Sequence, residues 1–347
     1  MQARERSVLH VLPHPRGGGE TYVDLLGAMP GYRSSRIHLT SSQNAYRHLA
    51  RGVAGAYARA REHDLVHVHG EIAAGLCLPL LATRPSVVTL HGLHLVRRLH
   101  GLPREAAALN LRALLRAADR TICVSNAEHA YLTSIVGPLG TRRAVVVRNG
   151  VRPPPPTSEE ERRKIRAELG LADSATVAIW VGSLDERKDP LAAIRAAERA
   201  TVTLLVVGDG PLRREVVRTA TRSVHVLGGR GDVPRLLGAA DLFVLTSHRE
   251  GLAYSLLEAM SFGLPAVVTD LAENVEAIGD TGVAVPVGDE HALAEALGGL
   301  TQDAAERARL GERARNRVVA HFDTSSMVSR TRIVYDDVRV SVGADAP

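Results

Sequence analysis

One stretch of the sequence, residues 241–268, reads DLFVLTSHREGLAYSLLEAMSFGLPAVV. The apolar run at its start predicts a buried strand, and the Gly-Leu-Pro turn of residues 263–265 leads into a second strand. Between the two strands, a loop with Glu250 and Gly251 precedes a helix that carries Glu258. A strand, a helix and a further strand in this order form a βαβ unit, which predicts a parallel sheet.

The same alternation runs along the whole chain. Short β-branched runs predict strands, and Ala-, Leu- and Arg-rich segments of helical period separate them. The strands are expected near Ser7–Leu12, Ser35–Leu39, Leu65–Val68, Ser86–Leu90, Arg120–Val124, Ala144–Arg148, Thr176–Val181, Val202–Val207, Val224–Leu227, Asp241–Leu245, Ala266–Thr269 and Val283–Val285. We therefore expect an α/β protein built from doubly wound parallel sheets.

A run of prolines, Pro153–Pro156, interrupts this pattern and predicts a stiff linker. We therefore divide the 347 residues into an N-terminal domain of residues 1–152 and a C-terminal domain of residues 153–325. Residues 326–347 are expected to form a C-terminal helix and tail that packs back on the first domain. Two such domains leave a cleft between the carboxyl ends of their strands, where open α/β sheets bind ligands.

The composition excludes several classes of protein. With 45% hydrophobic and 23% charged residues, the chain lies outside the range of disordered proteins. No stretch approaches the ~20 apolar residues that cross a bilayer, and the run Val8–Leu12 is too short for a signal peptide. We therefore expect a cytoplasmic protein, either free or peripheral at the inner face of the membrane. Cys77 and Cys123 lie among apolar neighbours and are predicted to be reduced core residues.

Charge is distributed unevenly between the two predicted domains. Residues 1–152 contain 20 Arg against 9 Asp and Glu, a formal charge of +11, whereas residues 153–347 carry −6. The arginines of the Leu- and Ala-rich segment at residues 97–116 could attract an anionic or membrane-borne acceptor, or could form a solvated helix face. Because only 3% of the residues are aromatic, the sequence predicts no stacking platform for nucleic acid.

Two loops carry candidates for anion binding. Residues 17–20, Gly-Gly-Gly-Glu, follow the first strand and open a helix, which places backbone amides where they could approach an anion. The alternative for this loop is a flexible turn. Arg187 and Lys188 follow the strand at Thr176–Val181, and two adjacent cations at a strand end suit a diphosphate. The alternative for these two residues is a pair of solvated loop side chains.

The segment at residues 241–268 suits a sugar nucleotide. The Glu250 carboxylate could accept hydrogen bonds from sugar hydroxyls, and the amides of Leu252–Ser255 at the start of a helix could hold phosphate oxygens. Deeper in the helix, Glu258 could bind the diol of a ribose.

These residues resemble the nucleotide-sugar signature of the family 4 retaining glycosyltransferases, the glycogen-synthase-like or group 1 glycosyltransferases of the GT-B fold. The two glutamates bracket seven residues, as in that family. Further similar segments follow in order along nearly the whole chain, namely residues 17–20, 89–92, 124–126, 148–151 and 207–211. The resemblance implies two Rossmann-like domains that face a central cleft.

The resemblance also implies roles for single residues. Lys188 would neutralise the donor diphosphate, Glu250 would orient the donor sugar, and His91 would contact that sugar from the opposite domain. The residues implied in donor binding are Gly18, Gly19, Ser183, Arg187, Gly208, Asp209, Arg230, Leu252, Ala253, Tyr254, Ser255 and Glu258, of which Arg230 would lie near the base. The weaker candidates for acceptor binding are His69, Ser125 and Asn126.

Two positions depart from the family pattern. Ser183 stands where the family often has an arginine, and Arg187 is expected to take over that charge. Glu273 replaces a glycine near the predicted cleft, where sugar or acceptor contacts could therefore differ. His67 and His69 share one face of a strand, but without a Cys or carboxylate cluster at ligand spacing we predict no metal site.

The prediction is thus a retaining, metal-independent glycosyltransferase that needs no cofactor. It would move a sugar from a nucleoside-diphosphate sugar, UDP or GDP based, to a hydroxyl of a cell-envelope lipid, a polysaccharide or a secondary metabolite. Two alternatives stay open. A nucleotide-sugar 2-epimerase of the same fold would need no acceptor, and a non-catalytic binding protein would hold the sugar nucleotide without turnover.

Overall fold

The computed structural model describes residues 4–15, 17–41 and 48–344. Arg16 of the predicted first loop and residues 345–347 of the predicted tail lie outside the described residues. The chain forms two compact units: unit 1 comprises Met1–Asn149 and Thr324–Pro347, and unit 2 comprises Gly150–Asp323. The predicted boundaries after residues 152 and 325 lie three and two residues beyond these divisions.

Unit 1 contains a parallel sheet in the order β2-β1-β3-β4-β5-β6. Its strands are β1 (Arg6–Leu12), β2 (Tyr32–His38), β3 (Leu65–His69), β4 (Ser86–Thr89), β5 (Arg120–Cys123) and β6 (Ala144–Val146). Its helices are α1 (Gly18–Leu26), α2 (Leu49–Ala60), α3 (Glu71–Leu76), α4 (Leu78–Thr83), α5 (His94–Arg98), α6 (Gly101–Ala117), α7 (Asn126–Val136) and, after unit 2, α16 (Thr324–Ala344). The strands β1, β3 and β4 are buried along almost their whole length, as expected for a parallel sheet that helices cover.

Unit 2 repeats this plan with the strand order β12-β11-β10-β7-β8-β9. Its strands are β7 (Val177–Val181), β8 (Thr203–Val207), β9 (Val224–Gly228), β10 (Leu242–Leu245), β11 (Ala266–Thr269) and β12 (Gly282–Val285). Its helices are α8 (Glu159–Glu168), α9 (Pro190–Arg199), α10 (Arg213–Thr219), α11 (Val233–Ala239), α12 (Tyr254–Ser261), α13 (Ala272–Ile278), α14 (Glu290–Gln302) and α15 (Ala304–His321). The expected doubly wound α/β fold is confirmed, with a strand near each predicted position.

The C-terminal helix α16 belongs to unit 1 and closes its core. Tyr335 of this helix is 1% exposed and lies 2.7 Å, hydroxyl to Nδ1, from His67 of β3. Asp336 accepts a hydrogen bond of 2.6 Å from the Tyr32 hydroxyl of β2. Along the described chain, no helix combines the length and the apolar character that crossing a bilayer requires.

Candidate active site

The loop after β7 fixes Lys188 at the carboxyl end of the unit 2 sheet. Asp189 caps α9 by accepting a hydrogen bond of 3.1 Å from the Ala192 amide. The Thr246 hydroxyl, just beyond β10, lies 2.9 and 2.7 Å from the carbonyls of Lys188 and Asp189, and it accepts a hydrogen bond of 3.1 Å from Trp180 Nε1. Neighbouring strands thus hold the backbone on which Lys188 sits.

Lys188 forms an ion pair with Glu250, and both residues are buried. Lys188 Nζ lies 2.5 Å from Glu250 Oε1, and Arg187 Nη1 lies 3.8 Å from the same oxygen. Burial alone would raise the pKa of Glu250, but the charges of Lys188 and Arg187 outweigh it and lower the pKa to about 2. Arg187 Nη2 also lies 3.7 Å from Asp185 Oδ2, so two cations and two carboxylates lie together here. Such a group of charges suits a ligand that carries both an anionic group and hydroxyls.

Glycines let two turns of this sheet edge interlock. A Cβ at Gly208, whose φ is +147°, would lie 1.8 Å from the carbonyl oxygen of Gly182. The Leu184 amide donates to the carbonyl of Asp209 at 3.0 Å, so the turns after β7 and β8 share backbone hydrogen bonds. Ser183, Gly208 and Asp209 therefore lie together at one edge, and only glycine fits at position 208.

Glu258 of helix α12 lies in a different environment from that of Glu250. The helix begins at Tyr254, after Ala253, which has no side-chain group that could cap it. Leu252, Ala253 and Tyr254 are buried, whereas Ser255 is half-buried. Burial raises the pKa of Glu258 to about 7, and no described side chain pairs with its carboxyl group. Although Glu250 and Glu258 are predicted as one motif, Glu250 is therefore ionised near neutral pH, whereas Glu258 is only partly ionised.

Two further predicted positions, Arg230 and Glu273, differ in exposure. Arg230, which follows β9, is exposed and pairs with Asp232 through two hydrogen bonds of 2.7 Å. Glu273, the departure from the family pattern, is 1% exposed in α13. In the same helix Asn274 Nδ2 donates to the Thr269 carbonyl at 3.0 Å, which fixes α13 to the end of β11.

In unit 1, His91 stands on a strained loop after β4. Both His91 (φ 60°) and Leu93 (φ 51°) have left-handed backbone conformations, which are unfavourable for residues other than glycine. Two buried carboxylates hold this loop: Glu128 accepts hydrogen bonds from the amides of Gly92 and Val124, and Glu71 accepts one from the amide of Leu95.

Sequence reasoning missed Glu128, although a signal was present. Ser125 and Glu128 have the Ser-x-x-Glu spacing of a capping box, and Ser125 Oγ accepts from the Glu128 amide at 3.0 Å. Ser125 is buried as the cap of α7, and Asn126 is exposed on the first turn. In the predicted first loop, Gly18 and Gly19 open α1, while Glu20 pairs with Arg36 at 2.8 Å and His38 at 2.6 Å.

His91 belongs to a group of four neighbouring histidines, which we call the histidine cluster: His10 of β1 and His67 and His69 of β3 are buried, and His91 is half-buried. His69 Nδ1 lies 3.1 Å from His91 Nε2, and His69 Nε2 lies 3.0 Å from His10 Nδ1. Burial lowers the pKa of His91 to about 4 and that of His10 to about 3, and it lowers the pKa values of His67 and His69 well below 6.5. All four imidazoles are therefore neutral at pH 7.

This arrangement bears on two predictions, the contact of His69 with an acceptor and the absence of a metal site. His69 is 1% exposed and both of its ring nitrogens bond other histidines, which argues against the predicted direct contact of His69 with an acceptor. One ring nitrogen each of His10, His67 and His69 lies within 4.8 Å of the others, close enough for a shared metal ion. However, every ring nitrogen of these three histidines already has a hydrogen-bond partner.

Comparisons with known proteins agree with this architecture. The family model described as Glycosyltransferase Family 4 matches residues 8–153, and the model described as Glycosyl transferases group 1 matches residues 175–303. A glycogen synthase of Mycobacterium tuberculosis is 30% identical over 293 residues, which cover 78% of this chain and 68% of that protein. The N-acetyl-alpha-D-glucosaminyl L-malate synthase of Bacillus anthracis is 27% identical over 293 residues, with coverage of 79% and 75%.

Solved structures share the fold. The sucrose-phosphate synthase of Thermosynechococcus elongatus has a TM-score of 0.81 at 21% identity, over 97% of this chain and 100% of that one. The Anabaena protein HepE, crystallised with UDP and glucose, has a TM-score of 0.79 at 22% identity, over 95% and 99% of the two chains. The family models and the 30% identical relative show that the chain belongs to glycosyltransferase family 4, the group 1 glycosyltransferases, and that its fold is that of the GT-B enzymes.

Proposed function

We propose that this glycosyltransferase takes its sugar from a nucleoside-diphosphate sugar, transfers it to a hydroxyl acceptor and retains the configuration at the anomeric carbon. The buried pair of Lys188 and Glu250, with Arg187 beside it, carries the proposal. The structural neighbour HepE, which was crystallised with UDP and with UDP-glucose, supports a uridine nucleotide as the first to test, with GDP as the second.

The donor interacts with both charged groups of the Lys188–Glu250 pair. Its diphosphate replaces Glu250 as the main partner of Lys188, and Arg187 supplies the charge that Ser183 lacks. Glu250, ionised because its pKa is about 2, then accepts hydrogen bonds from hydroxyls of the donor sugar. The ribose diol donates to Glu258, and amides at the start of α12 bind phosphate oxygens. His91 of unit 1 is the proposed further contact of the donor sugar.

The reaction exchanges one bond for another at the anomeric carbon. The acceptor oxygen forms a bond to this carbon while the bond to the phosphate oxygen breaks, and both events take place on the same face of the sugar. The acceptor proton passes to the leaving phosphate oxygen, so that no protein nucleophile is needed. As the bond breaks, negative charge grows on the diphosphate, and a fixed cation such as Lys188 lowers the barrier by roughly 3–4 kcal/mol. Lys188, Arg187 and the helix amides thereby supply the charge for a metal-independent reaction.

The acceptor is proposed to be anionic or membrane-borne, as the +11 charge of residues 1–152 suggests. Arg98, Arg104 and Arg116 of the segment at residues 97–116 are exposed and available for such an acceptor. Two other arginines have structural partners: Arg97 lies over the Tyr131 ring at 4.3 Å, and Arg112 donates to the Ile135 carbonyl at 2.6 Å. A protein that acts in the cytoplasm, at the inner face of the membrane, fits this proposal.

Nucleotide screening tests the donor class. A ligand that binds the native state raises its stability by RT ln(1 + [L]/Kd), so thermal unfolding is measured with UDP, GDP, ADP and TDP and then with the matching sugars. We expect one diphosphate to stabilise the protein, and Lys188→Ala to abolish that stabilisation while the exposed Lys164→Ala control keeps it. No stabilisation by any of the four would contradict the proposal. An epimerised donor in the absence of an acceptor would instead favour the 2-epimerase.

A further inference from the structure

Three of the clustered histidines form an unbranched chain of hydrogen bonds that ends at His91. The distances are 3.1 Å from His91 Nε2 to His69 Nδ1, 3.0 Å from His69 Nε2 to His10 Nδ1, and 3.3 Å from His10 Nε2 to Ser34 Oγ. Neighbouring rings are nearly parallel, at 27° for His69 and His91 and at 26° for His10 and His69. Among the described residues, none forms a hydrogen bond with the other nitrogen of His91, Nδ1. The chain thus runs inward from the one ring nitrogen that a substrate could reach.

Neutral imidazoles make such a chain directional. Each neutral ring has one N–H donor and one acceptor nitrogen, so every bond of the chain needs a donor on one side only. Two arrangements satisfy all three bonds. Either each histidine carries its proton on Nδ1 and Ser34 donates to His10, or each carries it on Nε2 and His10 donates to Ser34. A mixed arrangement places two donors or two acceptors face to face in a buried site, which is costly.

We propose that His69 and His10 are positioning residues that fix the tautomer of His91, so that Ser34, three hydrogen bonds away, helps to decide whether His91 Nδ1 donates to or accepts from the donor sugar. This inference rests on the proposed contact of His91 with the sugar. A sugar hydroxyl can play either part, but the strength of its bond to His91 depends on which tautomer the chain allows. The chain thereby sets the hydrogen-bonding character of a group that touches the substrate.

His67 provides a matched control because it lies in the cluster but outside the chain. Its ring is 4.1 Å, centroid to centroid, from that of His69. Its nitrogens instead bond the Tyr335 hydroxyl and Thr89 Oγ1, each at 2.7 Å. Replacing His67 therefore perturbs the packing of the histidine cluster while all three bonds of the chain remain.

The first test is nitrogen NMR of the full-length protein with ¹⁵N-labelled histidine, which identifies the protonated nitrogen of each ring. We expect His10, His69 and His91 to share one tautomer. Ser34→Ala removes the donor that the described residues offer to His10 Nε2. Since an unpaired N–H is rarer in buried sites than an unpaired acceptor, all three rings should carry their protons on Nδ1 in this variant. Different tautomers among the three rings, or a His91 that carries its proton on Nε2 in Ser34→Ala, would overturn the proposal. His67→Gln should leave the three tautomers unchanged, and a change of His91 in that variant would equally contradict it.

The second test separates the chain from the proposed function. His69→Leu removes the partner of His91 Nε2, and we expect kcat to fall about tenfold, the effect of one lost hydrogen bond, with KM for the donor changed less. His67→Leu, with matched loss of packing, should keep kcat within about twofold. Equal losses of kcat in both variants would show that His69 contributes only through its packing. If His91→Ala itself leaves kcat unchanged, the proposed sugar contact fails, while the tautomer measurements still decide whether the chain exists.

A metal ion offers a third discriminating measurement. An ion bound by His10, His67 and His69 would displace the N–H protons that the chain requires. Elemental analysis follows dialysis of the purified protein against Zn²⁺ and then against buffer. It should show less than about 0.1 equivalent of metal, which means that at least nine molecules in ten keep the hydrogen-bonded chain of histidines. One equivalent that is lost in His10→Leu would overturn the proposal in favour of a metal site.

Discussion

The ammonium group of Lys188 lies 2.5 Å from the carboxylate of Glu250, 62 residues further along the chain, at the carboxyl end of the unit 2 sheet. Thr246 fixes the backbone of Lys188, and the Glu250 side chain is buried. The pair therefore offers a preformed cation and a preformed acceptor at adjacent points. A diphosphate with an attached sugar presents the complementary groups in the same order.

Removing the cation should stop turnover and also weaken the fold. We expect Lys188→Ala to lower kcat at least ~100-fold, because the charge on the leaving diphosphate loses its partner. It also leaves Glu250 buried without its closest cation, which typically costs about 3–5 kcal/mol. Steady-state rates and urea denaturation measure the two effects, with Lys164→Ala as the control. Unchanged turnover in Lys188→Ala would remove Lys188 from its proposed role.

Glu258 should make unit 2 less stable at alkaline pH. Its pKa is raised from 4.5 to about 7 in the folded protein, so the stabilising contribution of the neutral acid is present below pH 4.5 and is lost as the pH rises through 7. We expect Glu258→Gln to be more stable than the wild type by up to about 3 kcal/mol at pH 8, with little difference at pH 4.5. Fluorescence of Trp180, the single tryptophan, follows the unfolding of unit 2. A wild type as stable as the variant at pH 8 would show that Glu258 is not strained when ionised.

Donor binding should release a proton from Glu258. Near pH 6.5 most of this carboxyl group is protonated in the free protein, because its pKa is about 7. Hydrogen bonds from a ribose diol favour the ionised form and lower that pKa. Calorimetry in buffers of different ionisation enthalpy should therefore show up to one proton released at pH 6.5 and almost none at pH 8.5. The same release in Glu258→Gln would assign it to another group.

The histidine cluster should make unit 1 sensitive to acid. The folded pKa values are about 3 for His10 and about 4 for His91, against 6.5 for an exposed histidine, so unfolding takes up protons below pH 6.5. The stability is present above pH 6.5 and is lost as the pH falls toward about 4, by roughly 1.4 kcal/mol per pH unit for each histidine. Hydrogen exchange of unit 1 peptides at pH 7 and 5.5 should show this loss, and His10→Leu should reduce its slope by one proton. If the stability of unit 1 did not change with pH, the histidines of the cluster could not have the lowered pKa values on which this prediction rests.

Gly208 should not tolerate even alanine. Its Cβ would lie 1.8 Å from a backbone oxygen, which cannot move without opening the turns after β7 and β8. We expect Gly208→Ala to lower the stability of unit 2 by several kcal/mol, about the range of severe strain, and to abolish nucleotide binding. Gly231→Ala is the control, because a Cβ there meets nothing within 4 Å. Equal behaviour of the two variants in Trp180-detected unfolding would contradict the interlocked turns.

The sequence predicts the strands well because a parallel sheet buries both faces of each strand, so that strands appear as short apolar runs. β11 matches its predicted range of Ala266–Thr269. The largest error concerns β2, which begins at Tyr32 rather than Ser35. Near its start this edge strand has the polar residues Arg33 and Ser34, of which Arg33 is exposed, so the apolar run that marks the other strands is missing.

The histidine cluster shows where sequence reasoning ends. His67 and His69 reveal their common face through the two-residue repeat of a strand. His10 lies beside them because β1 pairs with β3 in the register that places His10 opposite His67. The local sequence does not determine the register between strands that are distant along the chain. The family resemblance implies that Lys188 and Glu250 both bind the donor, but it does not imply that they pair with each other. The different pKa values of Glu250 and Glu258 depend on burial and neighbouring charges, which the spacing of residues does not reveal.

A crystal structure with the preferred nucleoside-diphosphate sugar tests the central claim most directly. The account predicts phosphate oxygens within hydrogen-bond distance of Lys188 Nζ, a sugar hydroxyl on the Glu250 carboxylate and the ribose on Glu258. A donor bound elsewhere, or one bound while Lys188 contacts Glu250 alone, would contradict it.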